Sequence, residues 1–152
     1  MESTMTQEQL VGKFQQTMER LNTSPFVNDV AEYYQGESAM LSCIDSFEQR
    51  GIVPSPSLIS ERLHLARGTV TATLRSLERK KLAHTRTMRD DRRRVEVHLT
   101  VDGRQKAKEK QDRVDQWCFV LIQHLGQDKF ASLVEMIDQA IAHTGYSNGG
   151  TP

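Results

Sequence analysis

The chain has 152 residues, 37% hydrophobic and 26% charged, with a mean hydropathy of −0.57. That is an ordinary single-domain length and a composition too patterned for disorder, and its longest apolar run, residues 117–122, is far short of a membrane span. Two cysteines exclude a disulfide scaffold, and a formal charge of zero, from 20 Lys and Arg against 20 Asp and Glu, argues at face value against nucleic acid.

Thr6-Gln7-Glu8-Gln9 has capping-box spacing, and Leu10, Phe14, Met18 and Leu21 follow as one apolar face of a helix. Residues 22–25 (NTSP) favour a turn or a fresh start, and residues 26–35 stay ambiguous, with a short helical turn as one reading. A second helix begins near Gly36, buries Ala39, Met40, Cys43, Ile44 and Phe47, and ends at Arg50-Gly51. After an extended link, Ser55-Pro56 reads as an N-cap followed by proline in the first turn. That helix buries Leu58, Ile59 and Leu63. A turn at residues 64–66 leads to a helix over roughly 67–81, with Val70, Leu74 and Leu77 inward, which completes a helix-turn-helix.

Residues 82–87 (LAHTRT) and 94–99 (RVEVHL) then change period, with Val95, Val97 and Leu99 alternating against Glu96 and His98. Two strands around a basic tip, directly after a helix-turn-helix, describe a winged helix. Thr100 can cap a long helix to about residue 124, Gly126 breaks it, and a last helix carries Phe130, Leu133, Val134, Ile137 and Ile141. The expected fold class is therefore α+β, mainly α. Its parts are an N-terminal helix and connection (6–35), a winged helix-turn-helix (36–100), C-terminal helices (101–145) and a loose tail (146–152).

The zero net charge is a sum of unequal parts. Residues 62–94 hold eleven basic and three acidic residues, a net +8, and the remainder is −8. Such a split points to a polyanionic partner for one part of the chain, with a merely solvated basic surface as the alternative.

Residues 65–82 (LARGTVTATLRSLERKKL) and 89–104 (RDDRRRVEVHLTVDGR) together resemble the MarR-type transcriptional regulators, and the resemblance extends over nearly the whole chain. The shared patterns are a recognition helix TVTxxLxxLExKGL and a wing D-x-R-x-V-x-V-x-L-T-x-x-G, here Asp91 to Gly103. The resemblance implies a winged-helix homodimer on pseudo-palindromic operator DNA, usually a repressor released by a ligand or by oxidation. Three positions depart from it: Gly68 stands where Ser is frequent, Ala72 where Arg is frequent, and Lys81 where Gly precedes the first wing strand.

At 100° per residue from Val70, the positions Gly68, Ala72, Arg75 and Arg79 face away from the core, with Thr71 beside them. The first residues of a recognition helix enter the major groove, so Arg67, Gly68, Thr69, Thr71, Ala72 and Arg75 are the candidates there. Arginine can chelate guanine, and threonine can bond phosphate or touch a thymine methyl; capping and packing are the plainer roles for Thr69 and Thr71. Arg89, Arg92 and Arg93 suit a narrow minor groove, or are solvated side chains. The resemblance pairs Asp91 with Arg93. Ser55 and Ser57 are phosphate candidates.

The first helix and the last two carry apolar faces that suit a two-fold dimer better than a private monomer core. The resemblance also implies a small aromatic or acidic effector in a cleft, which Met18, Met40, Cys43, Phe47 and Trp117 could line; a core stripe is the commoner meaning of such spacing. Both thiols look buried and inert, and the five histidines show no ligand spacing on one helix, so neither metal nor cofactor is expected, although a redox- or metal-responsive regulator stays an alternative. No nucleophile–base pair, phosphate-binding glycine loop or paired carboxylates suggest an enzyme. The competing class is a winged-helix module for protein–protein assembly without DNA. The N-terminus has no basic segment leading into an apolar stretch, so the expected location is the cytoplasm, with no membrane partner.

Overall fold

The computed structural model describes residues 5–89 and 94–143. The chain divides into two compact units, residues 1–111 and residues 112–152.

The first unit begins with α1 (Gln7–Asn22). Its capping box is complete: the Thr6 N–H donates to Gln9 Oε1 at 2.9 Å, and the Gln9 N–H donates to Thr6 Oγ1 at 3.3 Å. No residue of α1 is buried, and its apolar face is open, with Phe14 65% exposed. The ambiguous stretch after it is a true helix, α2 (Pro25–Tyr33), with Ser24 as N-cap and proline at the first position. This is the same signal that marks the start of the helix at Ser55-Pro56. Tyr33 is buried, and its hydroxyl donates to Gln111 Oε1.

The core is built by α3 (Gly36–Gln49), α4 (Pro56–Leu63), α5 (Arg67–Arg79) and a two-stranded sheet. Met40, Ile44 and Phe47 from α3 meet Ile59 from α4 and Val70, Leu74 and Leu77 from α5. Leu58 and Leu63 are partly buried at its margin. Each fully buried aliphatic side chain contributes about 1.5–3 kcal/mol, so this cluster holds the three helices in one arrangement.

Strands β1 (Ala83–Thr87) and β2 (Val95–Leu99) pair antiparallel, Ala83 opposite Leu99 and Thr85 opposite Val97. Ala83, Val97 and Leu99 are buried, and the alternating residues His84, Arg86, Glu96 and His98 share the other face. The extended link before α4 lies along the free edge of β2, where the Val97 N–H donates to the Pro54 carbonyl at 2.9 Å.

Helix α6 (Val101–Leu125) starts in this unit and is anchored to the wing root. Thr100 caps it by accepting the Gly103 N–H at 3.0 Å, while the Thr100 hydroxyl donates to the Lys81 carbonyl at 2.8 Å. The Thr100 N–H also donates to the Leu82 carbonyl at 3.1 Å. Gly103 is buried against the residue that precedes β1: a Cβ there would lie 1.9 Å from the Leu82 carbonyl oxygen.

The second unit consists of α6 from residue 112 onward and α7 (Gln127–His143), separated by Gly126 at φ +83°. Trp117, Leu121, Ile122, Phe130 and Leu133 are half-buried. No described residue of α7 is buried, and Val134, Met136, Ile137 and Ile141 are all exposed. Among the described residues, no helix is long and apolar enough to cross a membrane, and no group of three or more His, Cys, Asp and Glu could hold a metal ion.

Candidate nucleic-acid interface

Helix α4, a tight turn and α5 form the helix-turn-helix. The turn is fixed by His64, which takes the left-handed conformation at φ +52°. It is also held by the Leu65 N–H donating to the Ser60 carbonyl at 3.1 Å and the Ser60 hydroxyl donating to the Leu65 carbonyl at 2.7 Å. Together these set the angle at which α5 leaves the core.

On α5 the inward residues Val70, Leu74 and Leu77 are buried, and Arg67, Gly68, Thr69, Thr71, Ala72, Arg75 and Arg79 are exposed. One face packs and the other is available. The N-cap is Ala66, which offers no side-chain acceptor, so the first-turn N–H groups of α5 receive no side-chain cap. Thr71 and Thr73 donate their hydroxyl protons back to the Arg67 and Thr69 carbonyls, both at 2.9 Å. The Thr71 hydroxyl oxygen therefore remains an acceptor, while its methyl group and the Arg75 guanidinium stay exposed. A Cβ at Gly68 would meet nothing within 4 Å, so glycine is not required there for space.

The end of α5 is a Schellman motif. Leu82 N–H donates to the Leu77 carbonyl and Lys81 N–H to the Glu78 carbonyl, both at 2.9 Å, with Lys81 left-handed at φ +57°. Lysine thus occupies the position that glycine normally takes, and the helix end is kept at a cost in backbone strain.

Two carboxylates tie the wing to the helices, and sequence reading gave them no role. Glu78 on α5 accepts both the backbone N–H and the hydroxyl of Thr85, at 2.9 and 2.7 Å. Glu48 on α3 accepts the Leu99 N–H at 3.0 Å and pairs with Arg104. A third link joins Lys80 to Glu37 at 2.6 Å. The bonds from Lys80 and Ser76 hold the Glu37 carboxyl below the usual carboxylate range. The sheet also stacks two histidines that are far apart in sequence, His84 and His98, with ring centroids 5.3 Å apart.

At the wing, Arg89 is exposed, and the Met88 N–H donates to the Arg94 carbonyl at 3.0 Å to close the strands before the tip. Asp91, Arg92 and Arg93 lie outside the described residues. Ser55 caps α4 by accepting the Leu58 N–H at 3.2 Å, and Ser57, two residues on, is exposed.

The five residues expected to line an effector cleft do not share one environment. Met40, Cys43 and Phe47 belong to the hydrophobic core, because a cleft lining and a core face show the same helical spacing. Met18 is exposed on α1, and Trp117 is half-buried in the second unit. Burial also pushes the Cys43 thiol up from its ordinary range.

No protein-family model and no curated protein matches the sequence. Solved structures do match. The YusO protein from Bacillus subtilis superposes with a TM-score of 0.67 at 19% identity, over 91% of this chain and 99% of its own. MepR, a transcription regulator of the Staphylococcus aureus multidrug efflux pump MepA, gives 0.61 at 18%, over 91% and 98%. Streptococcus pneumoniae FabT in complex with DNA gives 0.61 at 23%, over 89% and 92%. The α+β winged-helix architecture expected from the sequence is the fold of this chain, and it is the fold these proteins share.

Proposed function

We propose that the chain is a MarR-type transcription regulator that binds operator DNA as a homodimer. The observation that carries this is α5: a helix packed by Val70, Leu74 and Leu77 that presents Arg67, Thr69, Thr71 and Arg75 from the end of a helix-turn-helix, within a segment of net charge +8. In this role α5 enters the major groove, with Arg75 chelating a base edge and the first-turn amides meeting phosphate. Arg89, Arg92 and Arg93 are the candidates for the adjacent minor groove, where the resemblance pairs Asp91 with Arg93. The DNA in the FabT structure supports the assignment by likeness of fold.

The dimer rests on α1 and α7, two amphipathic helices of 16 and 17 residues with no buried side chain. A two-fold axis through these faces covers them and sets two copies of α5 about 34–36 Å apart, one turn of DNA. The regulator acts as a repressor, and a small aromatic or acidic ligand releases it by changing that separation. Met40, Cys43 and Phe47 belong to the core, so none of the three is proposed to line the ligand site. The protein works in the cytoplasm.

A fluorescence-anisotropy titration of a mixed-sequence duplex tests the DNA role. Affinity should fall steeply with salt, by about 0.9 in log–log slope for each phosphate neutralised. Arg75→Ala with Arg93→Ala should abolish binding while the protein stays folded and dimeric. Salt-insensitive binding that survives both substitutions favours a protein–protein assembly module instead.

A further inference from the structure

We propose that Arg94 and Ser57 grip one phosphate of the DNA backbone in the cleft between the start of α4 and the start of β2, which deepens the DNA-binding assignment and rests on it. The cleft has a volume of about 610 Å³, and its walls include Ser55, Pro56 and Ser57 on one side and Arg94, Val95 and Glu96 on the other. Both walls belong to the first unit, so the packed core fixes the distance between them.

Arg94 has its backbone held at the root of the wing. Its carbonyl accepts the Met88 N–H at 3.0 Å, so the residue sits at the closed base of the wing. Its side chain is exposed. A guanidinium rooted on a closed ladder loses less freedom on binding than one on a loop, and its planar fork matches two phosphate oxygens. Opposite it, Ser57 offers an exposed hydroxyl, whereas the Ser55 hydroxyl is engaged by the Leu58 N–H. The duplex backbone is the source of phosphate favoured here, because the first helix of a helix-turn-helix crosses the backbone while the second enters the groove.

Glu96 opposes the anion. It lines the same cleft, with its carboxylate 3.4 Å from His98 Nε2 and its backbone opposite Arg86. One cation and one anion facing the same cleft make it a weak trap for a free ion. A phosphate held by many other contacts on the same duplex can still seat there. The two residues therefore predict substitutions of opposite sign.

The test uses the full chain and a mixed-sequence duplex, titrated over about 50–200 mM salt. Arg94→Ala should weaken binding several-fold on every sequence alike and reduce the log–log salt slope by about 0.9 per protomer, about 1.8 for a dimer. Arg94→Lys should keep the slope and recover part of the affinity, and Glu96→Gln should tighten binding. Inorganic phosphate at millimolar concentration should not compete; competition that disappears in Arg94→Ala would make the cleft a free-anion site and overturn the proposal. An unchanged slope in Arg94→Ala, with Arg75→Ala still weakening binding, also overturns it. A wild-type chain that binds no duplex removes the DNA-binding assignment itself, and the proposal with it.

Discussion

Replacing Gly103 with alanine separates a packing requirement from ordinary helix propensity. The new Cβ would lie 1.9 Å from the Leu82 carbonyl oxygen and 2.9 Å from its carbon, both backbone atoms that no rotamer can move. Restoring even a 3.0 Å contact displaces the first turn of α6 by about 1.1 Å. The hydrogen bonds from Thr100 to Lys81 and Leu82, now 2.8 and 3.1 Å, do not survive such a shift. Each is worth about 0.5–1.5 kcal/mol, and the strained cap adds about 1 kcal/mol. Alanine's better helix propensity returns about 1 kcal/mol, leaving a net loss of about 2 kcal/mol. In a chain of this size that is a fall in Tm of about 4–8 °C. Gly68→Ala is the control: it is also a helical glycine, but a Cβ there meets nothing within 4 Å. Thermal unfolding followed by circular dichroism should show Gly103→Ala clearly destabilised and Gly68→Ala neutral or slightly stabilised. Equal behaviour of the two would refute the close approach of α6 to the wing root.

Lys81→Gly should stabilise the protein by about 0.5–1 kcal/mol in urea unfolding, since glycine adopts the left-handed conformation at the end of α5 without strain; destabilisation would mean that the lysine side chain matters more than its backbone. The lowered pKa of Glu37 makes its link to Lys80 stabilising above the unfolded-state carboxylate pKa, and that contribution is lost as pH falls through the folded value. The stability gap between wild type and Glu37→Gln should therefore close below about pH 4, and a gap independent of pH would contradict the link. Cys43, buried and with its thiol pushed up, should resist iodoacetamide at pH 8 until the protein is unfolded, as mass spectrometry of native and denatured samples would show.

The elements legible in the sequence were those whose signals are local. The capping box at Thr6, the Ser55-Pro56 start, the inward triplet Val70, Leu74 and Leu77, and the alternation in β2 all depend on neighbours a few residues apart. Residues 26–35 stay ambiguous in the sequence, with a helical turn as one reading, although Ser24-Pro25 carries the same start signal as Ser55-Pro56. Lys81 stands where the resemblance has glycine, and the Schellman hydrogen bonds impose the left-handed geometry on lysine all the same. The ties from Glu48 to Leu99 and from Glu78 to Thr85 depend on tertiary proximity, and no sequence period marks them. The same holds for the pairing of His84 with His98 and for Gly103, whose place in the motif was visible but whose contact with Leu82 was not. Met40, Cys43 and Phe47 show the reverse limit: apolar spacing identifies an inward face, not whether protein or ligand fills the space beyond it.

Selection of the full chain's preferred duplexes from a randomised DNA pool tests the central claim most directly. A dimer that places two copies of α5 in successive major grooves should enrich inverted half-sites centred about 10 base pairs apart, and Arg75→Ala should lose that enrichment. Recovery of duplexes with no shared half-site, or an identical pattern from Arg75→Ala, would contradict a DNA-reading role for α5.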